Sequence, residues 1–191
     1  MDNPVAHSLS QIIKEKLTFE VLSKREPPLK TGFAQMDQHM SGGITPGLIV
    51  LGAGPGLGKS TFCLQLAEQI SRGENVPVLY FSLEMTEERV AAKAVAMDNF
   101  RTQKSLRPDD TFSDAEADRK RFFTAAELFN PESLHGMAEE KRQQYEEARY
   151  RVSENHNLYI VDKPYCAREI VEYVKSFLTE QSAGENPSKK P

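Results

Sequence analysis

The chain has 191 residues, 39% of them hydrophobic and 27% charged, and a formal net charge of −4. That size fits one domain with an appendage and allows a sizeable core, while the charge gives no global pull toward nucleic acid and leaves room for a local basic groove. No apolar run approaches the roughly 20 residues that span a bilayer. The N-terminus lacks the basic and apolar regions of a signal peptide, and Cys63 and Cys166 form no metal-type spacing, so a reducing, cytoplasmic setting with no membrane attachment is expected.

In chain order, residues 6–23 read as one amphipathic helix. Ser8-Leu-Ser-Gln11 has the form of a capping box, and Leu9, Ile12, Ile13, Leu17 and Val21 make an apolar stripe. Lys24-Arg-Glu-Pro27-Pro28-Leu-Lys reads as an extended linker. A helix tethered in this way buries its stripe on its own domain or on a neighbouring subunit. Residues 31–47 form a turn-rich lead-in to an apolar strand predicted at 48–53.

The next run is the most informative. Ala53-Gly54-Pro55-Gly56-Leu57-Gly58-Lys59-Ser60-Thr61 joins that strand to a helix through a glycine-rich turn. Backbone N–H groups of such a turn point at an anion, and the N-terminus of the following helix adds a favourable dipole. Lys59 is placed to reach the β- and γ-phosphates of a nucleoside triphosphate, and the Ser60 hydroxyl to ligate Mg²⁺. Ala53 stands where the strict motif has glycine; it is small enough for the loop to close. The plain alternative is an ordinary glycine-rich strand–helix turn.

The helix after the loop is predicted from Lys59 to about Ser71, with Phe62, Leu66 and Ile70 on its apolar side and Cys63 as a small core residue. Arg72-Gly73-Glu-Asn ends it. Pro77-Val-Leu-Tyr-Phe-Ser-Leu83 is the next strand, apolar enough for a buried parallel sheet. Glu84-Met85 lies at its C-terminal end, and Thr86 caps a helix from Glu87 to about Met97. Residues 100–156 are polar and helical in pattern. Ser113-Asp-Ala-Glu116 resembles a capping box there, Phe122, Phe123, Ala126 and Leu128 supply apolar contacts, and 138–151 is a mixed-charge helix with a solvated face. Leu158–Val161 is a third strand ending at Asp162. A last helix runs from Glu169 to about Leu178, with Ile170, Val174 and Phe177 in register, and 183–191 is a loop-like tail. Alternating strands and helices imply an α/β fold with a parallel sheet and right-handed crossovers.

A carboxylate at the end of the strand beside the phosphate-loop strand faces the same crevice, since ligands bind outside the carboxyl ends of parallel strands. Glu84 occupies that place and is positioned to orient or deprotonate an attacking water. Its alternative role is to favour the dipole of the helix behind Thr86. Leu158-Tyr-Ile-Val-Asp162 has the form of a Mg²⁺-associated Walker B strand, yet apolar strands ending in Asp are common, so both readings of Asp162 stay open.

With these residues in place, the chain resembles the ATPase domain of the DnaB-type replicative helicases, within the RecA-like group of phosphate-loop NTPases. The resemblance rests on Thr31-Gly-Phe…Met36-Asp37…Gly42-Gly43…Pro46-Gly47, on the phosphate loop through Phe62, on Phe81-Ser-Leu-Glu84-Met85, and on Leu158-Tyr-Ile-Val-Asp162-x-Pro164…Glu169-Ile170. It implies ATP and Mg²⁺ as ligands, Lys59 and Ser60 as their contacts, Glu84 as the catalytic carboxylate, a hexameric ring, and single-stranded DNA bound by the complete protein. It also implies that the N-terminal helix docks on the adjacent subunit. In this family the strand like 158–162 precedes the true Walker B strand, and the sensor Gln, the DNA-contacting loops and the arginine finger lie further on. Asp162 is therefore expected to end the preceding strand. The core is expected to be an incomplete RecA-like domain over 30–182, with the helix and linker at 1–29 and a tail at 183–191. The chain on its own is then expected to hydrolyse ATP weakly and to self-associate. A stand-alone nucleotide-binding regulator without unwinding activity is the alternative.

Overall fold

The computed structural model describes residues 6–106, 122–162 and 166–182. The expected capping box at 113–116, Pro164 and the tail at 183–191 lie outside the described residues. The described part forms two compact units that divide between Gly54 and Pro55.

In the first unit, α1 (Leu9–Lys16) opens with the expected capping box: Ser8 Oγ accepts from the Gln11 N–H at 3.2 Å, and Gln11 Oε1 accepts from the Ser8 N–H at 3.0 Å. The single helix expected over 6–23 is in fact two. Leu17 leaves helical geometry, and Thr18 takes an extended backbone and starts α2 (Phe19–Ser23), its hydroxyl accepting from the Val21 N–H at 3.3 Å. A threonine that bonds to its own downstream backbone competes with helix continuation. The apolar stripe is only partly covered: Leu9, Ile13 and Leu17 are exposed and Ile12 is half-buried.

The lead-in to the phosphate loop is more ordered than a string of turns. Leu29 and Ile44 form an antiparallel bridge with two 2.8 Å hydrogen bonds. Gly43, at φ +141°, lies so close that a Cβ there would collide with the Leu29 carbonyl. Between them stands α3 (Ala34–His39). The buried Asp37 carboxylate accepts from the Thr31 N–H at 2.8 Å and the Thr31 hydroxyl at 2.7 Å, and Thr31 Oγ in turn accepts from the Phe33 N–H at 3.1 Å. The Thr-Gly-Phe…Asp pattern is thus a closed polar ring around the start of α3. These bonds hold Asp37 below the ordinary carboxylate range, the Thr31 backbone N–H being the main cause.

The strand expected at 48–53 is absent. Among the described residues no strand pairs with that segment, and Leu48, Ile49, Val50 and Leu51 are exposed. Extended chain becomes a strand only when a neighbour takes up its N–H and C=O groups. The described strands pair instead with each other.

Those strands belong to the second unit. Here α4 (Lys59–Gly73) leads to β1 (Val78–Phe81), α5 (Glu87–Leu106), a 3-10 turn (Glu127–Phe129), α6 (Pro131–His135), α7 (Glu139–Ser153), β2 (Leu158–Val161) and α8 (Ala167–Ser182). β1 and β2 are parallel, in register from Val78↔Leu158 to Phe81↔Val161. Two further bonds extend the ladder, Val78 N–H to Asn157 O at 2.7 Å and Ser82 N–H to Val161 O at 2.8 Å.

The apolar face of α4 differs from the expected one. Leu64, Ala67 and Ile70 are buried together with Glu68 and Ser71, while Phe62 and Leu66 are half-buried at its edges. Hydropathy misplaces the stripe because two polar residues on the inner face have dedicated partners. Glu68 is paired with Arg101 and, at 3.5 Å, with Arg72, and Ser71 Oγ accepts from Asn155 Nδ2 at 2.8 Å. Leu64 packs against Val90 and Ala94 of α5, with Tyr80, Leu158 and Ile160 beside them. A second cluster joins Phe123, Val95 and Ala148, with Leu128 and Tyr145 packed against it, so the expected apolar contacts at Phe123 and Leu128 are present. α5 continues past Met97 to Leu106, its extra turns tied by Arg101 to Glu68 and by Asp98 to Arg151 at 2.8 Å. On α8, Phe177 is buried and Ile170 and Val174 are half-buried, as the periodicity predicts. Tyr159 and Phe177 meet edge to face at 4.8 Å.

Candidate functional site

Both strands are pinned at their N-terminal ends to the end of α4. Asn157 Nδ2 donates to Asn75 Oδ1 at 2.8 Å, and Asn155 Nδ2 to Ser71 Oγ. The C-terminal end of β1 therefore lies toward the start of α4, where the glycine turn sits. A cleft of about 770 Å³ opens between them, lined by Gly56, Gly58, Lys59 and Ser60 on one side and by Ser82 and Glu84 on the other.

Gly58 is the N-cap of α4 at φ +85°, and no side chain caps this helix. Gly56 stands at φ +75°, and a Cβ on either glycine would meet open space. It is thus the left-handed backbone rather than crowding that favours glycine at both positions. No side-chain bond caps the first turn of α4, and Gly58, Lys59, Ser60 and Thr61 line the cleft there, the setting in which a helix N-terminus receives an anion. Lys59 and Ser60 are half-buried, Pro55 and Thr61 also line the cleft, and Leu57 is 74% exposed outside its lining. Ala53 and Gly54, the first residues of the motif, belong to the first unit and are exposed.

Glu84 is exposed at the tip of a tight turn. Ser82, buried at the end of β1, closes that turn: its hydroxyl donates to the Met85 carbonyl at 2.7 Å and accepts from the Met85 N–H at 3.2 Å. Tyr80 donates from its hydroxyl to the Ser60 carbonyl at 3.4 Å and so touches the first turn of α4. Burial, with smaller contributions from Cys63 and Glu84, pushes its phenol above the ordinary value of 10, at which it is already a neutral donor at physiological pH. Asp162 is not among the residues lining the cleft. Its Oδ2 accepts from the Glu87 N–H at 2.9 Å.

Lys93, half-buried on α5, lines the cleft as well and was not foreseen from sequence. The signal was there: it sits three residues after Val90 and four before Met97, a cation on the flank of an apolar helical face. Tyr80 was hidden because an aromatic in a strand reads as core.

A glycine turn that opens a helix beside the carboxyl end of a parallel strand defines an α/β protein of the phosphate-loop class. The family model for the DnaB-like helicase C terminal domain matches residues 28–172, and the chain belongs to that family. The replicative DNA helicase DnaB of Synechocystis sp. is 38% identical over 90 residues, 47% of this chain and 10% of that protein. The DnaB of Haemophilus influenzae is 35% identical over 82 residues, 40% of this chain and 18% of its own length. The DNA repair protein RadA of Bacillus subtilis is 32% identical over 90 residues, 47% of this chain and 19% of that protein. The matched part is thus less than a fifth of each of these relatives. Among the described residues no helix is long and apolar enough to cross a membrane.

Proposed function

We propose that this chain is the ATP-binding part of a DnaB-like replicative DNA helicase, built on a RecA-like core. The observation that carries the reading is the cleft in which Gly56, Gly58, Lys59 and Ser60 face Glu84. Its volume is in the general range of small-molecule and cofactor sites. The uncapped first turn of α4 and the Lys59 ammonium suit a polyphosphate, and the Ser60 hydroxyl suits a cation that keeps its remaining ligands from phosphate and water. Ser60 would hold Mg²⁺ there, and the ion would supply charge neutralisation to the bound phosphates. Lys59 binds the same phosphates, and the loop residues Pro55 to Thr61 wrap them. Glu84 orients the attacking water and accepts its proton as the oxygen bonds to the γ-phosphorus and the bond to the ADP oxygen breaks. The catalytic roles are assigned to Glu84 and Lys59 and the metal contact to Ser60.

Within the complete helicase, the reading has α1 and α2 docking on a neighbour in a hexameric ring that encircles single-stranded DNA in the cytoplasm. Residues 1–29 then serve as the linker element and 30–182 as the motor core. An arginine supplied in trans is worth about 10³ to 10⁵ in rate, so this chain alone binds ATP and turns it over slowly.

A fluorescent ATP analogue titrated into the full chain with Mg²⁺ tests this. Binding is expected, and Lys59→Ala should weaken it at least about tenfold, the loss of one charged phosphate contact. Glu84→Gln should bind within about threefold of the parent, because its interaction belongs to the hydrolytic transition state. Equal affinity of Lys59→Ala and the parent, or no binding by the parent, refutes the assignment.

A further inference from the structure

We propose that Asp162 is a positioning residue for Glu84, acting as the distant half of a clamp on the turn that carries it. The inference rests on the reading of Glu84 given above, but the clamp itself is visible in the backbone. Residues 82–87 leave β1, form the Glu84 turn and enter α5. Two consecutive residues of β2 and its end hold that segment at both extremes: the Val161 carbonyl accepts from the Ser82 N–H at 2.8 Å, and Asp162 Oδ2 accepts from the Glu87 N–H at 2.9 Å. Inside those anchors the Ser82 hydroxyl makes both of its bonds to Met85. Glu84 is left at the tip, with its backbone fixed on either side.

The choice of acceptor is informative. Glu87 is the first residue of α5, and its N–H is one of the donors that an α-helix cannot satisfy internally. Thr86 immediately precedes it, but a side chain in that place reaches the second or third N–H of a helix rather than the first. The acceptor comes instead from 75 residues away in sequence, off the neighbouring strand. A carboxylate at this spot also complements the positive end of the α5 dipole. The arrangement couples the end of β2 to the place of Glu84 opposite the phosphate loop. It also gives Asp162 a different task from binding a metal ion.

The test uses the full chain, with amide hydrogen exchange and ATP turnover read in parallel. Asp162→Ala should speed exchange across 83–88 by about fivefold, the opening that loss of one helix cap allows, with 158–161 and α4 unchanged. Asp162→Asn keeps an oxygen acceptor of the same reach and should restore exchange to within about twofold of the parent. Glu87→Pro removes the donor itself, and proline is tolerated at a first helical position. It should match Asp162→Ala, and adding Asp162→Ala to it should change nothing further. In turnover, Asp162→Ala should lower kcat several-fold while KM for ATP stays put, and Asp162→Asn should recover it. Unchanged exchange at 83–88 in Asp162→Ala overturns the proposal, as do additive effects of Glu87→Pro and Asp162→Ala. It is equally overturned if Asp162→Asn is as defective as Asp162→Ala and both need more Mg²⁺. Should the parent bind no nucleotide, the assignment of the cleft fails while the exchange measurements still decide the clamp.

Discussion

Leu64→Ala and Leu48→Ala make the same chemical change at two sites where periodicity puts Leu48 in a buried strand and leaves Leu64 off the apolar face of its helix, and the structure ranks them the other way. Leu64 has no exposed surface and packs on Val90 and Ala94 in the centre of the second unit, whereas Leu48 is 90% exposed. The substitution removes three carbon groups. At about 0.8 kcal/mol each they contribute roughly 2.4 kcal/mol when fully buried, and the cavity left behind brings the expected cost at Leu64 to about 3–4 kcal/mol. At Leu48 only about a tenth of the transfer term is lost, roughly 0.2 kcal/mol. Urea titration followed by far-UV circular dichroism measures both as midpoint shifts at constant slope. A thermal melt should fall by about 6–15 °C for Leu64→Ala and by less than about 1 °C for Leu48→Ala. If 48–53 were a core strand, the two variants would cost about the same. A loss above about 1.5 kcal/mol at Leu48, far outside the range of surface substitutions, would refute the exposed placement of this segment.

The remaining expectations concern other parts of the chain. The exposed apolar run Leu48–Leu51 should drive association, so Val50→Lys should lower the weight-average mass seen by light scattering; an unchanged mass would clear this segment. Glu68 is buried against the Arg72 and Arg101 guanidiniums, which are themselves 37% and 33% exposed. Glu68→Ala should therefore cost about 2 kcal/mol in denaturant titration, below the usual penalty for a broken buried pair because both cations can reach water. Asp37 is held below its ordinary value of 3.8 by the Thr31 backbone N–H and then the Thr31 hydroxyl. Its folded value is the lower one, so its contribution is complete above about pH 4 and is lost as the pH falls through that lowered value. Protection of the Thr31 and Phe33 amides should decline in that acid window, and Asp37→Asn should abolish the step. A pH-independent profile in the parent would show that the carboxylate does not hold the ring.

The parts of this protein that were readable in one dimension are those whose cause is local. The Ser8–Gln11 capping box needs only three residues of helix, and it formed where the pattern placed it. The glycine turn into Lys59 needs only left-handed backbone at Gly56 and Gly58, and both glycines adopt it. The strand at 158–161 and the α8 stripe through Phe177 follow from side-chain periodicity against one buried face. The errors came where a neighbour decides. Thr18 could continue a helix or cap a new one, and the cap won. On α4 the polar Glu68 and Ser71 face inward because Arg101, Arg72 and Asn155 wait for them. The run at 48–53 has every local mark of a strand, yet among the described residues no strand pairs with it.

By itself, then, the sequence determined the chemistry on offer at the cleft, which is a glycine turn, a lysine, a serine and a carboxylate one strand away, and with it the family. These follow from residue identity and spacing over a few turns of chain. Only the tertiary structure decided which strand pairs with which, that Lys93 shares the cleft, and that Asp162 holds the start of α5. Each of these depends on a contact between groups far apart in sequence, and a hydrogen-bond donor or an apolar face carries no mark of which distant residue will satisfy it.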